Sequence, residues 1–231
     1  MFMDILNITL PKLWSGLQLT LLITLAAFAM GQVLALPLAL AVRSRLKWLS
    51  WPARSYIFLV RGSPLMVQLF LIYYGLGSLP EVRASVLWPI LRDPINCAIL
   101  AIGLNSAAYT AALIAGALAD IPKGLSEAAR MLGLGKLRTL VYVTLPVMYR
   151  QVLPVMGNEL TLVLKGSSLA STITVLEMTG VARKVVSQTF APFEVFAIAG
   201  AVYLVVGLVA AWIFGRLEAW LKIPGLGAAK A

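Results

Sequence analysis

Glu159 and Lys165 are charged side chains inside an otherwise apolar run, Val152–Leu176. A charge near the middle of a bilayer costs about 2.5–3.5 kcal/mol on insertion scales, so such residues normally face a cavity or a partner. Their six-residue spacing separates them by roughly 600° of helix, which rules out a pair on one face. Asn158 and Lys165 do share a face, as do Asn105 and Tyr109 on the preceding run. The Glu159 carboxylate is suited to attract an ammonium or guanidinium group, and the Tyr109 ring to stack on one for about 0.5–2 kcal/mol. Glu159, Asn158, Asn105 and Tyr109 are therefore the candidate ligand-binding residues. The alternative is that Glu159 and Lys165 satisfy helix ends or interfacial partners, and both readings stand at this stage. With no histidine and a single cysteine, Cys97, an internal disulfide or a multi-cysteine metal site is excluded. No catalytic residue, metal or cofactor is expected.

The elements that must position these residues are apolar and long. Of the 231 residues, 61% are hydrophobic and 12% charged, whereas a soluble domain carries about 25% charged residues. Five runs approach the roughly 20 residues that a helix needs to cross a bilayer: 17–42, 55–79, 95–119, 152–176 and 195–214. The first is too long for a signal-peptide core and follows no basic segment, which predicts a retained anchor. The expected fold is an all-α bundle of five membrane-spanning helices in a single domain, 1–231. In the third run Ala107, Ala108, Ala111, Ala112, Ala115 and Gly116 form a small-residue stripe, the pattern of close helix packing.

The net charge of +10 is distributed between the apolar runs rather than on one polar face, which argues against nucleic acid and for the positive-inside rule. Loops after the first and third runs, with the C-terminal tail, hold twelve Lys and Arg; the opposite side holds five. The expected topology places the N-terminus outside and the C-terminus inside.

The longest inward loop is 120–151. Ser126–Leu132 is rich in helix formers, Gly133 and Gly135 read as a stop, and Leu137–Val143 reads as a second short helix ended by Pro146. A helix–turn–helix of this size suits insertion into a groove on a soluble partner.

Glu127-Ala128-Ala129, then Gly133, then Val143-Thr144-Leu145-Pro146 resembles the EAA motif of ABC importer permeases, with Val143 where that motif has Ile. Arg61-Gly62-Ser63-Pro64-Leu65, Asn105-Ser106-Ala107-Ala108-Tyr109-Thr110, Asn158-Glu159 and Lys165-Gly166-Ser167-Ser168-Leu169 are similar to further elements of the polar amino-acid permeases, in the histidine/arginine/octopine branch. Many members of that branch have Glu three residues after the tyrosine, where Ala112 stands here. The resemblance implies an ABC type I importer permease in the bacterial inner membrane. It further implies that Glu127, Ala128, Ala129, Gly133, Leu145 and Pro146 dock on an ATPase. Implied partners are two ATP-binding subunits, a second and non-identical permease, and a periplasmic amino-acid-binding protein, all within membrane lipid. The chain lacks a Gly-x-x-x-x-Gly-Lys-Ser/Thr run, so hydrolysis is assigned to the partner. The competing readings are an ion-driven secondary transporter and a non-transporting membrane scaffold or sensor. At Ser63-Pro64 the sequence predicts a helix start, with Ser63 as cap, Pro64 in the first turn, and Arg61 snorkelling to the interface.

Overall fold

The computed structural model describes residues 2–221, so the tail charges Lys222 and Lys230 lie outside the described residues. The architecture is all helical. We label the principal helices α1 (Phe2–Val42), α2 (Lys47–Gly62), α3 (Leu65–Ser78), α4 (Pro94–Asp120), α5 (Lys123–Met131), α6 (Leu145–Ser167), α7 (Met178–Thr189) and α8 (Pro192–Leu221).

Three helices are long and apolar enough to cross a membrane among the described residues, α1, α4 and α8, and the bent pair α2–α3 makes a fourth if it counts as one span. The expected five spans are thereby not all found as single helices: the second run breaks at Ser63-Pro64, where the sequence predicts a new helix start, and the fourth breaks as well. In the second run the chain turns by 108° between α2 and α3, because the Pro64 ring drives Ser63 to an extended backbone (φ −113°, ψ 146°). Ser63 is not the cap that the sequence predicts; its hydroxyl donates back to the Leu59 carbonyl at 2.9 Å, and Pro64 precedes α3 rather than opening it. In the fourth run, the α-helix stops at Ser167 and tightens into a 3₁₀ helix over Ser168–Ile173 before Thr174 turns left-handed at φ 72°. Ser167, Ser168, Ser171 and Thr172 each donate a hydroxyl to the carbonyl three residues back, local bonding that competes with the α-helical ladder.

The first run also extends further than expected, since α1 is 41 residues long and begins well before residue 17. At 1.5 Å per residue it exceeds a bilayer core of about 30 Å roughly twofold. Its N-terminal half is ordered by packing on α7, where Ile5 and Leu13 join Met178, Val181 and Val185 in one buried cluster and Lys12 donates to Gln188 Oε1 at 2.7 Å.

Small residues set the helix separations. A Cβ on Gly16 would lie 2.8 Å from Met178 Cα, one on Gly31 2.8 Å from Ser106 Oγ, and one on Gly157 2.9 Å from Phe214 Cβ. The alanine stripe splits as the geometry requires. Ala107, Ala108 and Ala111 are fully buried, Ala112 and Ala115 are half-buried, and Gly116 is exposed. Phe214 closes the far side, with its ring edge-on to Phe28 at 6.2 Å.

A buried carboxylate joins α1, α7 and α8. Glu177 caps α7 by accepting from Thr179 N and Gly180 N at 3.0 and 2.9 Å, as an N-terminal acid does for orphan helix donors. Tyr203 donates its hydroxyl to the same carboxylate at 2.8 Å. Thr20 Oγ1 accepts from Met178 N at 3.0 Å. This node was not legible in the sequence, where Glu177 stands simply at the edge of an apolar run.

Candidate functional site

The groove beside α4 is built from the break in α2–α3 and from α6. The break is held by amides. Gln68 Nε2 reaches the Val60 carbonyl at 2.8 Å and Ser63 Oγ at 2.8 Å, filling acceptors left open at the end of α2. Asn105 Nδ2 on α4 in turn donates to Gln68 Oε1 at 3.1 Å. Tyr56 fixes α2 one turn-pair earlier by donating to the Leu104 carbonyl at 2.7 Å. Asn105 therefore holds the break and does not line the groove, which separates it from the other candidates.

The remaining three candidates come together. A cavity of about 420 Å³ is lined by Arg61, Tyr109, Ala112, Leu113, Val155, Asn158, Glu159 and Leu162. That volume lies within the range of small-molecule sites. Glu159 is only 6% exposed, while Asn158 and Lys165 are exposed on their shared face. The buried Ser106 hydroxyl on α4 makes no hydrogen bond among the described residues.

Tyr109 carries a cation from this chain itself, a contact not assigned from the sequence. The Arg61 guanidinium already sits 5.2 Å from the ring centroid, a cation–π distance. Arg61 therefore turns into the groove rather than only toward an interface. A second cavity of about 550 Å³, lined by Val42, Arg54, Ile57, Phe58 and Ala115, shares Arg61, Tyr109 and Ala112 with the first. The Arg61–Tyr109 pair is thus the partition between two parts of one groove.

The loop 120–151 carries the second cluster of candidates. The helix α5 ends at Met131, and Gly133 takes φ +78°. Gly133 N donates to the Arg130 carbonyl at 2.9 Å and Leu134 N to the Ala129 carbonyl at 3.0 Å, the paired bonds of a Schellman turn. The expected stop at Gly133 is correct and has this geometry. The second short helix differs from expectation. Lys136–Thr139 runs through a π-turn at Leu140–Thr144 directly into α6, so Pro146 opens that helix instead of ending one. A wider π-turn tolerates a proline, which has no N–H to place in the ladder. Glu127, Ala128, Gly133 and Pro146 are exposed, Leu145 is half-buried, and Ala129 is buried beneath the turn. Met131, Leu132, Leu137 and Tyr142 are more than 70% exposed. This contiguous stretch of chain presents an apolar face with a central glycine turn.

Residues 31–223 match the family model described as "Binding-protein-dependent transport system inner membrane component". The chain belongs to this family. Among relatives of this permease, the octopine transport system permease protein OccM of Rhizobium radiobacter is 47% identical over 94% of the chain and 88% of its own length. The histidine/lysine/arginine/ornithine transport system permease protein HisM of Escherichia coli K12 is 36% identical, covering 92% of both. The crystal structure of an amino acid ABC transporter with histidines superposes with a TM-score of 0.82 at 32% identity, over 95% of this chain and 98% of that one. A methionine ABC transporter in an inward-facing conformation shares the fold at TM-score 0.77 and 17% identity. The permease is thus a multi-pass inner-membrane component of an ABC type I importer that works with a separate ATPase, and the readings as an ion-driven carrier or a scaffold fall away.

Proposed function

We propose that the permease imports basic amino acids or their opine derivatives, with Glu159 holding the cationic end of the cargo. The observation that carries this reading is a nearly buried carboxylate placed in a cavity beside Asn158 and an aromatic ring. Burying a carboxylate there is costly unless a cation compensates it, and no salt bridge to a described residue does so. Relatives named for octopine and for histidine, lysine, arginine and ornithine support the same class.

The reading includes five membrane passes, with α6 and its 3₁₀ extension as the fourth, the N-terminus periplasmic and the C-terminus cytoplasmic. The loop 120–151 docks on the ATPase through Glu127, Ala128, Ala129, Gly133, Leu145 and Pro146. The assembly comprises this chain, a second and non-identical permease, two ATPase subunits and a periplasmic binding protein. The chain itself is non-catalytic, and alternating access is driven through α5. The acid missing at Ala112 is supplied by the second permease.

The test is Glu159→Gln, which keeps the shape and removes the charge. Arginine and lysine uptake by the reconstituted assembly falls several-fold, as expected for loss of one charge-assisted hydrogen bond of about 1.5–3 kcal/mol net. Unchanged uptake with normal complex yield would return Glu159 to a structural role.

A further inference from the structure

We infer that Arg61 is the second pole of the same site: a fixed guanidinium that takes the carboxylate of a zwitterionic cargo while Glu159 takes its cationic end. This rests on the reading of Glu159 above, but it makes a separable claim about the cargo's other end.

Arg61 and Glu159 line one cavity of about 420 Å³ from opposite elements, α2 and α6. Both are charged, and neither forms a salt bridge with any described residue. The Arg61 guanidinium carries five donors in a planar fork that matches a carboxylate. Its contact in the structure is the face of Tyr109, which uses none of the in-plane donors. Ala112, the small residue shared by the two cavities, leaves the space beside that fork open.

The position of Arg61 is set in advance. It lies in the last turn of α2, and the Val60 carbonyl and Ser63 on either side of it are gripped by Gln68, itself held by Asn105 from α4. A guanidinium anchored on a ring and on a clamped helix end loses little freedom when it binds a ligand, which favours affinity. Stacking on Tyr109 also keeps the cation of Arg61 away from the Glu159 carboxylate, so the poles do not neutralise each other before cargo arrives. A cavity with separated fixed charges selects a molecule bearing both a carboxylate and a cationic group over one bearing a cation alone.

The experiment uses the membrane-embedded complex of both permeases and the ATPase, without the binding protein, and measures saturable binding of radiolabelled arginine and of its decarboxylated analogue agmatine. Arg61→Gln weakens arginine binding about ten- to a hundredfold and leaves agmatine binding unchanged, while Arg61→Lys recovers part of the arginine affinity. Glu159→Gln weakens both ligands, so the two poles are scored independently. Equal loss of arginine and agmatine in Arg61→Gln would overturn the proposal in favour of a purely structural role for Arg61, as would unaltered arginine binding. Loss confined to arginine in Arg61→Gln, with no effect of Glu159→Gln, would sustain the carboxylate pole and remove the cationic one.

Discussion

The Tyr203 hydroxyl on α8 donates to the Glu177 carboxylate at 2.8 Å, and that carboxylate caps α7. One buried acid therefore fixes the angle between two helices and, through Thr20 at the Met178 amide, their seat on α1. Tyr203→Phe removes one donor to a fully buried carboxylate and is expected to destabilise the purified subunit by about 1.5–3 kcal/mol, read as a lower thermal midpoint in detergent. Thr179→Ala deletes the other contact of the Tyr203 hydroxyl at 3.1 Å but no donor to Glu177, so its effect should be smaller. An equal effect of the two would show that the carboxylate is not the node.

Gly133 sits at φ +78° inside the Schellman turn of the loop 120–151. An L side chain there costs about 1–2 kcal/mol of backbone strain, on a turn flanked by the exposed Met131 and Leu132. Gly133→Asp, or charge reversal in Glu127→Lys, is expected to reduce co-purification of the ATPase several-fold while the chain still inserts into the membrane. ATPase recovery and transport at wild-type levels in both variants would exclude a docking role for this loop.

The orientation can be read with thiols, because the native Cys97 is fully buried and gives little background. Cysteines introduced at Ser44 and Lys136 should resist a membrane-impermeant reagent in intact cells, and one at Arg83 should react. Labelling at position 136 from outside would reverse the proposed topology.

Close helix approach makes a sharp pair of contrasts. Gly16→Ala places a Cβ 2.8 Å from the Met178 backbone, whereas nothing lies within 4 Å of a Cβ at Gly116. Backbone cannot swing aside as a side-chain tip can, so Gly16→Ala is expected to lower the thermal midpoint by several degrees. Gly116→Ala should be neutral or slightly stabilising, since alanine is the better helix former. Equal midpoints for the two variants would contradict the packing of α1 on α7.

The sequence alone determined the membrane class, because a chain with 61% hydrophobic and 12% charged residues has too little polar surface to face water. It also determined the stop at Gly133, a local backbone requirement, and it singled out Glu159 as a charge in an apolar run that needs a cavity or a partner, while leaving open which of the two it has. Tertiary structure alone decided the rest. Pro64 announces a break, but the clamp that holds the 108° turn uses Gln68, which bridges back to Val60 and is itself held by Asn105, 37 positions away. Asn105 and Tyr109 share a helix face, yet one grips Gln68 and the other meets Arg61. Helical periodicity gives direction around one helix, whereas what stands opposite is set by how the other helices pack. The same holds for Glu177, whose partners Thr20 and Tyr203 lie 157 and 26 residues away; a side chain's neighbours at that range exist only once the chain has folded.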